Sequence, residues 1–101
     1  MKIINLKSKD IDLNKVKELY DMVSETQSCV AIDLHNVENC VTEFFEMFGR
    51  LNKKVSLVNV DSKILAALYI TGFDKYVHVF EDNLSLEADK YELINRRFTL
   101  V

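Results

Sequence analysis

The amino-acid sequence predicts an α/β fold, a small single domain with a mostly parallel sheet of about four strands and helices packed on it. The central segment, residues 30–60, reads as an apolar strand, a loop, an amphipathic helix and a second apolar strand. Further apolar runs alternate with helical patterns on both sides of this segment, as in parallel α/β sheets. The 101 residues, 49% of them hydrophobic, are enough for one globular domain that covers residues 1–101.

The central segment predicts one βαβ unit. Residues 30–34 and 55–60 are short, mostly β-branched or aliphatic runs, typical of strands that are covered on both faces. A crossover helix is required between two parallel strands, and such crossovers are right-handed. The apolar residues between the two runs share one helical face; they are Val41, Phe44, Phe45, Phe48 and Leu51.

Flanking elements follow from caps and apolar spacing. Residues 2–6 read as an edge strand, residues 7–12 as a polar turn, and Asp10 or Asp12 as the N-cap of a first helix. A further helix begins after Asp61–Ser62 and ends at Gly72, and residues 76–80 form a third apolar strand. Residues 85–94 give a weak helical face, and residues 96–101 read as a strand or a docked tail.

Charge and composition narrow the function classes. The net charge of −3 and the scattered lysines argue against nucleic-acid binding. No apolar run is long enough to cross a membrane and no signal peptide is evident, so we expect a cytoplasmic protein without membrane insertion. Its two cysteines, Cys29 and Cys40, are then expected to be reduced and to act as small core residues.

Four pieces of the central half resemble the STAS domain. They are Asp33–Leu34, Val37–Glu38, residues 55–60 (VSLVNV) and residues 68–80 (LYITGFDKYVHVF). STAS domains form bacterial anti-sigma-factor antagonists and the cytosolic tails of sulfate transporters. The family's Asp-Ser-Ser-Gly turn is degenerate here, because residues 41–44 read Val-Thr-Glu-Phe.

The resemblance implies a non-enzymatic regulatory module that binds another protein. In the antagonists a partner kinase phosphorylates the first serine of that turn, and Thr42 is the matching hydroxyl. Alternatively, Thr42 only caps the helix that follows. The implied partner is a kinase-type anti-sigma factor. We expect an exposed apolar strip at Met47 and a partner-binding surface formed by His35, Asn36, Glu38, Asn39, Thr42, Glu43, Glu46, Met47 and Arg50.

Other functions stay open. The same fold could serve as an adaptor subunit of a membrane or lipid transporter, or self-associate as a homodimer. A small enzyme could pair His35 with Cys40, although the loop lacks glycines that would bare an oxyanion site. We expect neither catalytic residues nor a cofactor, and the spacing of histidine and cysteine predicts no metal site.

Overall fold

A parallel four-stranded sheet forms the centre of the computed structural model, which describes residues 2–81. The predicted α/β fold with about four parallel strands is therefore confirmed, whereas the expectations for residues 85–94 and 96–101 lie outside the described residues. In chain order the elements are β1 (Lys2–Asn5), β2 (Asp10–Ile11), α1 (Leu13–Glu25), β3 (Val30–Asp33), β4 (Asn39–Cys40), α2 (Thr42–Arg50), β5 (Val55–Val58), α3 (Ser62–Thr71), a 3-10 turn (Phe73–Tyr76) and β6 (Val77–Phe80).

The order of the strands in the sheet equals their order along the chain: β1, β3, β5, β6. The register places Ile4, Ile32, Leu57 and Val79 side by side in one row across the sheet, and all four are buried. Every crossover steps in the same direction, so right-handed crossovers place α1, α2 and α3 on one face. Contacts between α1 and α2 agree with this arrangement.

Caps define the ends of two helices as the sequence predicts. The Asp12 carboxylate accepts a hydrogen bond from the Lys15 backbone N–H at 2.9 Å, which identifies Asp12 rather than Asp10 as the N-cap of α1. The Asp61 carboxylate accepts from the Lys63 N–H at 3.1 Å. Gly72 ends α3 with φ +80°, a left-handed conformation that costs glycine little because it has no Cβ.

A second, two-stranded parallel sheet was not predicted. Residues 7–12 were expected to form only a polar turn, but β2 pairs with β4, with Asp10 opposite Asn39 and Ile11 opposite Cys40. The Val41 N–H also donates to the Ile11 carbonyl at 3.0 Å. Since α1 and α2 each begin two residues beyond this pairing, the two helices start at matching positions. Two-residue strands leave too little apolar alternation to be detected in a sequence.

The apolar face of α2 supplies the largest side chains of the core. Phe44, Phe45 and Phe48 are each at most 3% exposed, as their spacing predicts. The rings of Phe44 and Phe48 pack edge to face, with centroids 5.0 Å apart.

Met47 is also fully buried, so the expected exposed strip at Met47 was wrong. Its position explains the burial. Met47 lies on the side of α2 that contacts α1, at the floor of the groove between the two helices. The apolar part of α2 is therefore turned toward two neighbours, the sheet and α1, and not only toward the sheet.

The two cysteines differ in exposure. Cys40 is half-buried in β4, but Cys29 is exposed in the loop before β3, so its assignment to the core was wrong. The residue that follows, Val30, is the first one that the sheet buries. Separately, none of the helices within residues 2–81 combines the length and the apolar character needed to cross a bilayer.

Replacing Phe48 with alanine should lower the free energy of unfolding by ~3–5 kcal/mol, because the change leaves a cavity in the core. Ile70 is the matched control, since this large aliphatic side chain of α3 is 84% exposed. Ile70→Ala should change stability by less than ~0.5 kcal/mol. Urea denaturation measures both values, and equal effects of the two substitutions would show that the core face of α2 is misassigned.

Candidate functional site

The carboxyl ends of β3 and β5 meet at one edge of the sheet, where ligands of open parallel sheets commonly bind. The loop of residues 34–41 leaves the sheet at this edge and leads into α2, and α3 begins shortly after β5. Backbone bonds hold the start of the loop: the Leu34 N–H donates to the Val58 carbonyl at 2.9 Å, and the Val37 N–H to the Leu34 carbonyl at 3.0 Å.

The buried carboxylate of Asp33 organises this edge. Its Oδ1 accepts three hydrogen bonds, from the His35 backbone N–H at 3.0 Å, from the His35 ring at Nδ1 at 2.9 Å and from Asn59 Nδ2 at 3.2 Å. The carboxylate is an acceptor, so the proton of this ring bond lies on Nδ1. Asn59 adopts φ +56°, a left-handed conformation that asparagine tolerates better than most residues. Asp33 thus fixes both the imidazole and the turn after β5.

A second chain of polar contacts joins the starts of the three helices. Asn39 Nδ2 donates to Asp10 Oδ1 at 3.0 Å, and Lys63 Nζ donates to Asn39 Oδ1 at 3.1 Å. The N–H groups of Glu38 and Asn39 both donate to the Lys9 carbonyl, at 2.8 and 3.1 Å. The loop between β3 and α2 is therefore tied to the loop before α1 and to the first turn of α3.

The proposed partner-binding residues divide by exposure. His35, Asn36, Glu38 and Asn39 are exposed on the loop, while Val37 turns inward and is 2% exposed. The exposed residues that follow on α2 are Thr42, Glu46 and Arg50, and Glu43 is half-buried. Met47 does not belong to this surface, because it is fully buried.

Thr42 is the first residue of α2, and its side chain is exposed. The alternative role as N-cap was wrong: the N-cap is Val41, and no side chain caps this end of the helix. Valine has no oxygen to offer the first N–H groups, so the start of α2 keeps its partial positive charge uncompensated by a cap. The Thr42 hydroxyl therefore lies beside an uncapped helix end.

Sequence reasoning missed two features of the site. One is the bond between Asn59 and Asp33, which are 26 residues apart, and the other is the bond between Lys63 and Asn39, which are 24 residues apart. Local sequence patterns do not reveal contacts over such separations. A weak signal existed for Asp33, which ends a buried strand and precedes a histidine by two residues.

An Asp33–His35 pair orients an imidazole as in many hydrolases, but a nucleophile must accompany it. Burial raises the pKa of the Cys40 thiol to about 11. Within residues 2–81, the hydrogen bonds of His35 are made with Asp33 and not with Cys40. A thiol with this pKa stays protonated at neutral pH, and the thiolate is the reactive form. In the same part of the chain, histidine, cysteine, aspartate and glutamate do not gather in groups of three that could hold a metal ion.

Neither the known protein families, nor curated proteins, nor solved structures include a match to this chain. The likeness to the STAS domain therefore stays a prediction from its four sequence pieces.

Asp33→Ala should lower the free energy of unfolding by about 1–3 kcal/mol, because donors at the carboxyl edge lose a buried acceptor. Asp10→Ala removes an exposed acceptor and should cost less than about 1 kcal/mol. Thermal and urea denaturation compare the two variants. A smaller effect at Asp33 than at Asp10 would contradict the assigned role of the buried carboxylate.

Iodoacetamide at neutral pH should alkylate Cys29 and spare Cys40 in the folded protein. Cys29 is exposed, whereas a thiol with a pKa of about 11 has only about one part in ten thousand as thiolate at pH 7. Mass spectrometry of the peptides distinguishes the two sites, and labelling in urea confirms that both thiols can react. Fast alkylation of Cys40 in the folded state would revive the enzyme hypothesis.

Proposed function

We propose that this protein is a non-enzymatic regulatory module that binds another protein through the edge of the sheet. The proposed contact region, the loop–helix surface, consists of His35, Asn36, Glu38, Asn39, Thr42, Glu43, Glu46 and Arg50. The observation that carries the proposal is that the loop side chains of this surface project from a backbone that Asp33, Lys9 and Leu34 hold by hydrogen bonds.

A loop that is already ordered loses little conformational entropy when a partner binds. Asn36 Nδ2 approaches the Leu6 carbonyl at 3.5 Å and Asn39 bridges Asp10 and Lys63, so side chains on the surface are themselves positioned. Residues that serve only as a connection between a strand and a helix do not require such cross-links. Cross-links of this kind are expected where a surface must keep one shape in order to be recognised by a partner.

The charges on the loop–helix surface suit a partner with basic groups. Three carboxylates, those of Glu38, Glu43 and Glu46, accompany a single permanent positive charge, that of Arg50. Complementary charges accelerate encounter and fix the orientation of a complex more than they add to its affinity. Salt should therefore slow the association of the two proteins.

Thr42 is the proposed switch within this surface. A phosphate on its exposed hydroxyl would be tolerated by the fold, because negative charge is favourable at an uncapped helix start. The same group would add up to two negative charges to the middle of the loop–helix surface and change partner binding. Resemblance to anti-sigma-factor antagonists suggests a bacterial protein with a kinase-type anti-sigma factor as the partner.

The test is affinity capture of partners by the tagged full-length protein, followed by binding measurements with the partner that is recovered. Glu46→Lys reverses an exposed charge of the loop–helix surface and should weaken binding at least about fivefold while stability changes by less than ~0.5 kcal/mol. Glu18→Lys makes the same change on an exposed position of α1 and should leave binding unaltered.

Thr42→Glu should also weaken binding, because it adds a negative charge to the loop–helix surface as a phosphate would. Thr42→Ala adds no charge and removes no side-chain cap, so both binding and folding should be unchanged. Mass spectrometry of the Thr42 peptide reports whether phosphate is present. Equal binding by Glu46→Lys, Thr42→Glu and wild type would contradict the loop–helix surface.

A further inference from the structure

A groove of about 610 Å³ separates the outer sides of α1 and α2. Buried Val16 and Met47 form its floor, and the half-buried ring of Tyr20 lies along one wall. Leu13, which is 49% exposed, stands at the end where both helices begin. The groove thus combines an apolar floor with one large aliphatic side chain that remains in water.

Four charges line the groove in a pattern of alternating sign. Lys17 is followed by Asp21 along α1, and Glu43 is followed by Arg50 along α2. Neither Lys17 with Glu43 nor Asp21 with Arg50 forms a salt bridge within 4.0 Å among residues 2–81. All four charges are therefore available to an occupant of the groove.

The pairing of β2 with β4 sets the positions of these charges along the axes of α1 and α2. Asp21 and Arg50 are each eight residues beyond the first residue of their helix, so they lie at the same level. Lys17 is four residues into α1 and Glu43 one residue into α2, a difference of about 4.5 Å along the axis that a lysine side chain can span. Each level of the groove therefore carries one positive and one negative charge, on opposite helices.

We propose that this groove is a two-fold interface between two copies of the chain. Rotation by 180° about an axis along the groove places α1 of each copy over α2 of the other. Asp21 then meets the Arg50 of the second copy, and Lys17 meets its Glu43. A two-fold interface repeats every contact, so each of these two ion pairs occurs twice and every charge of the pattern has one opposite partner.

A second copy fits this groove for a reason that an unrelated partner does not share. The sign pattern is its own complement under a two-fold rotation, and the opposite sign order on the two helices is what this symmetry requires. The exposed Leu13 of each copy also meets the start of the other copy's α2, which removes apolar surface from water. The groove shares Glu43 and Arg50 with the loop–helix surface, whereas residues 35–39, Thr42 and Glu46 lie outside it, so the two proposals can be tested separately at Glu46.

Sedimentation equilibrium of the full-length protein, from micromolar to millimolar concentration, tests the proposal. The mass should rise from 11.7 kDa toward twice that value. Asp21→Lys and Arg50→Glu should each weaken self-association at least about tenfold, because each places like charges opposite one another. The matched controls are Glu18→Lys on α1 and Lys54→Glu beyond α2, which change exposed charges outside the groove and should leave the mass unaltered.

An equimolar mixture of Asp21→Lys and Arg50→Glu is the decisive sample. Each variant alone repels itself, but the mixture restores opposite charges at both contacts and should form a heterodimer. This recovery also shows that both variants fold. A wild-type protein that stays at 11.7 kDa throughout would overturn the proposal, and so would a dimer that is indifferent to both variants. Glu46→Lys should dimerise normally, so failure of the groove and failure of the loop–helix surface are separate results.

Discussion

Hydrogen bonds between residues 9–11 and residues 38–41 tie together the two loops that precede α1 and α2. This pairing sits beside the main sheet and determines how the helices lie relative to each other. It starts both helices at matching positions, which aligns Asp21 with Arg50 and buries Met47 against α1. It also holds the loop after β3 close to the body of the molecule. The candidate surface and the groove therefore depend on the same short pairing.

The main architecture could be predicted because it rests on local signals that agree with one another. Asp12, Asp61 and Gly72 mark helix ends through chemistry that is visible within a few residues. The phenylalanines of α2 repeat at helical spacing, and the strands at residues 30–33 and 55–58 are short, mostly aliphatic runs. The burial predictions that were wrong concern residues whose exposure depends on how separate parts of the chain pack together. Met47 is buried by α1 from another part of the chain, and Cys29 lies just outside the first residue that the sheet covers.

The candidate site was only partly predictable for the same reason. The loop residues from His35 to Asn39 follow a buried strand, so their exposure could be expected from the sequence. The interactions that position them, from Asp33 to Asn59 and from Asn39 to Lys63, join separate strand and helix ends and become visible only in the folded chain. Thr42 was placed correctly at the start of α2, but its uncapped surroundings depend on which residue precedes the first turn.

The strands lie in the main sheet in the same order as along the chain. This order has a consequence for folding during synthesis. Each strand pairs with the one that follows it after a single crossover: Lys2 aligns with Val30, Ala31 with Ser56, and Val55 with Val77. As the ribosome releases the chain, every new strand finds its neighbour already synthesised, and the sheet can grow from one edge. Among the strands of residues 2–81, none must wait for a distant C-terminal partner, which shortens the period in which an unpaired edge could join another nascent chain.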